Sequence, residues 1–92
     1  MGAGGVTNHG TFATNARSLK TENKPNSKAI RYNKKGELVQ ERWYDENGKA
    51  VRNRDYSHSG IMNFPHDHTW DWSSGKGKRI EEHLEPDYEN YK

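Results

Sequence analysis

Two segments, YNKKGELV at residues 32–39 and YDENGKAV at residues 44–51, repeat one pattern at an offset of 12 residues. Each runs Tyr, Asn or Asp, two polar residues, Gly, one polar residue, Leu or Ala, then Val. The side chain of Asn33 or Asp45 can open a turn, Gly36 or Gly48 supplies its positive-φ position, and the aromatic and β-branched flanks suit pleated strands. The repeat therefore predicts strands at residues 28–33, 37–45 and 49–56 joined by tight hairpins. With residues 66–72 as a fourth strand, the expected fold is mainly β, or a small α+β variant, built on an antiparallel meander of at least four strands. Two copies are too few for a solenoid.

Such a sheet has little apolar material to pack. Leu, Ile, Val and Phe together number 11 of the 92 residues, but ten aromatic residues and a net charge of only +2 argue for a small aromatic core rather than complete disorder. Cysteine is absent, which excludes a disulfide framework and a thiolate zinc site, so any metal must be held by His, Asp or Glu. Neither a basic start with an apolar run nor a membrane-length apolar stretch is present, so no signal peptide or membrane contact is expected. The expected location is the cytoplasm of a producing bacterium or a phage particle, with secretion by another route left open.

Three zones follow. Residues 1–27, rich in Gly, Asn, Ser and Lys without helical or strand periodicity, read as a flexible, disordered N-terminal arm. Residues 28–85 read as the β-rich domain, and residues 86–92 as an acidic C-terminal tail. Charge divides along the chain: residues 17–54 carry 11 Lys and Arg against five acidic residues, whereas residues 81–89 carry five carboxylates and no Lys or Arg. The tail can fold over the basic half, or repel a polyanion that the basic half attracts. Arg42, Arg52 and Arg54 are the expected nucleic-acid contacts, Arg52 and Arg54 sharing a strand face; the alternative is that they decorate a solvated surface.

The stretch NFPHDHTWDW, residues 63–72, carries the chemistry. Pro65 forces an extended approach, and strand alternation then places His66, His68, Trp70 and Trp72 on one face with Asp67, Thr69 and Asp71 on the other. Asp55, at the end of the third strand, and His58, just beyond it, are the natural further members of a site. Two chemistries suit these residues. In one, a neutral imidazole takes the proton of an RNA 2′-hydroxyl and a protonated one serves the leaving 5′-oxygen, with no cofactor. In the other, His66, His68 and Asp55 or His58 hold Zn²⁺ or another divalent ion whose bound water is the nucleophile. Trp70 and Trp72 offer a base-stacking surface. The plainer alternative makes the tryptophans core and the histidines its edge.

Several pieces, namely Pro-Asn-Ser at residues 25–27, the Tyr-Asp-x-x-Gly hairpin, Asp-Tyr-Ser at residues 55–57 and Pro-His-x-His-x-Trp at residues 65–70, carry a resemblance. Residues 24–79 resemble the type 24 polymorphic toxin domain and related modules encoded with phage head-morphogenesis proteins. The resemblance implies a β-rich C-terminal toxin module, a nuclease restrained by an immunity protein; RNA is the substrate that the acid–base chemistry favours. His66, His68 and Asp55 carry over from the pattern. Asn53 stands where the pattern has Asp, Ser59 where it has His, and Met62 and Asn63 where a further His is expected. These departures leave the metal chemistry short of ligands and favour acid–base chemistry. The competing class is a non-enzymatic phage-associated module that docks on nucleic acid or a capsid partner.

Overall fold

The computed structural model describes residues 10–14, 16, 18–56 and 65–92. They build a six-stranded sheet whose strands lie in chain order. The strands are β1 (Thr11–Thr14), β2 (Lys28–Tyr32), β3 (Leu38–Tyr44), β4 (Ala50–Asp55), β5 (His66–Asp71) and β6 (Lys78–Arg79). From β2 to β6 the pairing is antiparallel, the meander expected from the repeat, while β1 runs parallel to β2 at one edge. No helix occurs among the described residues, and so none long and apolar enough to cross a membrane.

Both turns of the repeat form by the expected mechanism. The Asn33 side-chain oxygen accepts from the Lys35 and Glu37 amides, and that of Asp45 accepts from the Asn47 and Lys49 amides. Gly36 and Gly48 take φ of 82° and 79°, a region that costs other residues about 1–2 kcal/mol. These contacts close within four residues, and the second turn is also bonded from the Asn23 and Asn26 amides.

The arm needs correction over its second half. Residues 11–14 are β1, and residues 19–27 pack along β3 and β4, with Leu19 and Ser27 buried. Besides Leu19, which joins the apolar cluster, polar contacts hold this segment. The Leu19 and Lys20 carbonyls accept from the Arg42 guanidinium, the Lys20 carbonyl also accepts from the Tyr44 hydroxyl, and the Thr21 carbonyl accepts from the Ala50 amide. A search for apolar periodicity does not register such contacts. Residues 1–9 lie outside the described set.

The sheet carries a thin layer on each face. On one, Leu19, Ala29, Tyr44 and Ala50 form the apolar cluster, with Trp70 and Trp72 against it. On the other, Trp43 is fully buried beneath the C-terminal residues, its ring edge-on to Tyr91 at 5.7 Å. Full burial of one large apolar side chain contributes about 1.5–3 kcal/mol, so a sheet with so few of them leans on its polar contacts as well. Residues 86–92 are accordingly not a separate tail: the Asp87 amide donates to Asp67, and the Tyr91 carbonyl accepts from Arg54. The tail folds over the basic half.

Candidate functional site

The hairpin register builds the site. Asp55, last in β4, pairs directly with His66, first in β5, and Asn53 pairs with His68. Side chains alternate along β5, so His66, His68, Trp70 and Trp72 rise from one face, as the strand reading predicts. The His66 and His68 rings stand edge-on with centroids 5.0 Å apart.

A third histidine joins them. After β6 the chain continues along β5, but between the Trp70–Arg79 and Asp67–Leu84 pairs three steps on β5 oppose five on the outer segment. The excess is two residues, an even number, so the faces keep their alternation: Leu84 pairs with Asp67, and its neighbour His83 falls on the opposite face, that of His66 and His68. His83 stacks on His66, the rings at 4.0 Å and 17°, with His68 edge-on to His83 at 5.2 Å. One ring nitrogen from each histidine lies within 4.8 Å of the others.

Asp55 anchors the cluster. Its Oδ2 lies 3.4 Å from His68 Nε2, 3.9 Å from His66 Nε2 and 3.5 Å from an Arg79 guanidinium nitrogen, and its Oδ1 accepts from Gln40 at 3.0 Å. Gln40 in turn accepts from Arg31 Nε, so a polar ladder crosses β2, β3 and β4 to reach the site. His68 Nδ1 lies 2.9 Å from the Ile80 carbonyl oxygen. A carbonyl brings no proton, so Nδ1–H is the donor and Nε2 is the atom presented to the cluster. Access differs among the three: the His68 side chain is 3% exposed, that of His66 19%, and His83 is an exposed residue. Arg79, 34% exposed, is held by two 3.0 Å hydrogen bonds to Glu81 beside the cluster.

The expected nucleic-acid contacts are mostly spent inside the protein. Arg54, 2% exposed, gives its Nε and one terminal nitrogen to Asp67 and is sandwiched between the Trp43 and Tyr88 rings. Arg52 also binds Asp67, and Arg42 is buried against Asn53 and the Leu19 and Lys20 carbonyls. Arg42 and Arg54 are therefore held in the interior, whereas Arg52, 14% exposed, divides its donors between Asp67 and the Glu85 carbonyl nearer the surface. Trp70 and Trp72 fit the plainer alternative. Their indole N–H groups donate inward to Asn53 and the Ala50 carbonyl, and Arg42 and Lys49 lie over their rings, so both are tied into the sheet while remaining partly exposed.

Of the expected site residues, Asp55, His66 and His68 converge. His58 lies outside the described residues. His83 and Arg79 carried no local pattern: one stands in an acidic stretch, the other beside a glycine-rich turn, and only the pairing of Leu84 and of β6 with β5 brings them in. No family model, curated protein or solved structure matches the chain. Function must be read from the geometry.

Proposed function

We propose that the chain is a toxin-type nuclease module that cleaves RNA phosphodiesters by acid–base chemistry at the histidine cluster. The observation that carries this reading is the stacked, solvent-reachable pair His66 and His83, with cationic Arg79 and anchored Asp55 beside it. In the cleavage step the neutral imidazole of one takes the 2′-hydroxyl proton and the 2′-oxygen attacks phosphorus. The bond to the 5′-oxygen breaks as the imidazolium of the other protonates it, leaving a 2′,3′-cyclic phosphate and a free 5′-hydroxyl. Arg79 stabilises the charge on the phosphorane. His68, nearly closed to solvent, positions Asp55 and the rings above it rather than touching substrate. The toxin assignment and the immunity partner rest on the sequence resemblance alone.

The test is cleavage of single-stranded RNA in the presence of a chelator. His66→Ala and His83→Ala should each lower the rate by about 100-fold or more, the usual worth of a general acid or base, with little change in thermal midpoint. Absence of cleavage by the parent chain would refute the reading. The docking alternative draws on a different region, the exposed Phe12 on edge strand β1, where an added strand could pair. It predicts that capture of a partner is lost in Phe12→Asp and unaffected by the histidine changes.

A further inference from the structure

We infer that His66, His68 and His83 form a binding site for a borderline transition-metal cation of the Zn²⁺ class, with Asp55 as the fourth ligand. Three imidazoles supply the ligand number that a zinc site requires, and the third is the one the local sequence pattern lacked. One nitrogen from each lies within 4.8 Å of the others. Tetrahedral coordination with Zn–N of about 2.0–2.1 Å needs ligand nitrogens about 3.3 Å apart, so closing the site takes modest side-chain rotation and no movement of the sheet.

Two features separate this cluster from a chance gathering of histidines. The first is the environment of His68. Its Nδ1–H donates to the Ile80 carbonyl while Nε2 points at the cluster, the orientation that outer-sphere hydrogen bonds impose on metal-bound histidines. The second is Asp55, whose Oδ2 already lies 3.4 and 3.9 Å from two of the imidazole nitrogens while Gln40 fixes its other oxygen. A carboxylate held in that way offers a negative oxygen to an ion among the rings. Arg79 is the opposing charge, and Glu81 offsets it through two hydrogen bonds. The donor set, nitrogen with one carboxylate oxygen and no thiolate, suits Zn²⁺, Cu²⁺ or Ni²⁺ and disfavours Ca²⁺ and Mg²⁺, which require mostly oxygen.

Binding does not depend on the cleavage reading. Only one consequence rests on it: an ion on these lone pairs leaves no free base, so saturating Zn²⁺ should stop any cleavage by the metal-free protein. The experiment is calorimetric titration of the chelator-treated, dialysed full chain with Zn²⁺, repeated with Co²⁺ to record the visible bands of four-coordinate nitrogen and oxygen ligation. The expected result is one ion per chain, with affinity lowered about 100-fold or more in His83→Ala. Because His83 is exposed, that variant should keep the parent's circular dichroism; His66→Gln provides a second removal. Absence of saturable uptake, or equal affinity in both variants and parent, would overturn the site. A parent chain that fails to cleave RNA under chelator sinks the cleavage reading and leaves the titration to decide the metal site.

Discussion

Two carboxylates on neighbouring strands, Asp67 on β5 and Asp55 on β4, face opposite sides of the same sheet and meet cations in opposite ways. Asp67 has no exposed surface and accepts from Arg52, from two nitrogens of Arg54 and from the Asp87 amide, all between 2.8 and 3.1 Å. The C-terminal residues close over it. Asp55 has one bond of that quality, from Gln40, and its three cationic or imidazole neighbours stand at 3.4–3.9 Å near the surface. A saturated, dry carboxylate is structural because any change leaves buried charge uncompensated. A partly satisfied one among imidazoles, one of them partly exposed, keeps an oxygen that an ion or a substrate group can meet. Their surroundings, more than residue type, separate framework from candidate site.

The widest gap between the two should come from removing each carboxylate. Asp67→Ala strands the Arg54 guanidinium in the interior, takes a partner from Arg52 and is expected to cost about 3–5 kcal/mol, whereas Asp55→Asn, which still accepts from Gln40, should cost about 1 kcal/mol. Urea denaturation of both variants measures this. Similar losses would erase the distinction between the two faces. The same Asp55→Asn protein should show weakened cleavage and Zn²⁺ uptake, and Asp67→Ala is informative only for folding.

Acidification should act on the Asp67 side. Burial alone would raise its pKa, but hydrogen bonds from Arg54, the Asp87 backbone and Arg52 outweigh burial and hold it below the usual carboxylate value. A depressed folded-state pKa gives stability that is fully present above the unfolded value of about 3.9 and is lost as pH falls through the folded value. Thermal midpoints should therefore drop below about pH 4 in the parent. They should drop less steeply in Asp67→Asn, and an identical slope in both would remove Asp67 as the source.

The smallest contrast concerns the two turns of the repeat, one of which supports the histidine side. A β-carbon at Gly48 would run into the Asn23 carbonyl of the packed N-terminal segment, whereas one at Gly36 meets nothing within 4 Å. Gly36→Ala should cost about 1 kcal/mol for its positive φ, and Gly48→Ala at least about 1 kcal/mol more. Equal costs would mean that residues 19–27 yield easily and give the histidine face little support. Thermal or urea unfolding of the pair measures the difference.

What could be read from the chain alone was short-range. The Asx side chains and glycines of the two turns act within four residues, and a strand's alternation is a property of its own backbone, so the hairpins, the meander and the shared face of His66 and His68 were legible. Asp55 was legible as a candidate from its place at the end of its strand and from the resemblance, whereas its register opposite His66 is set by the β4–β5 pairing. The remainder depended on contacts between distant residues with no periodic signature. Residues 19–27 are held by backbone carbonyls that any sequence carries, and β1 by parallel pairing at an edge. The roles of Arg42, Arg52 and Arg54 turned on whether Asn53, Asp67 and the C-terminal residues would reach them, because a guanidinium looks the same in sequence whether it faces solvent or a buried carboxylate. His83 entered the site because Leu84 pairs with Asp67, a register that belongs to the two segments together and not to either alone.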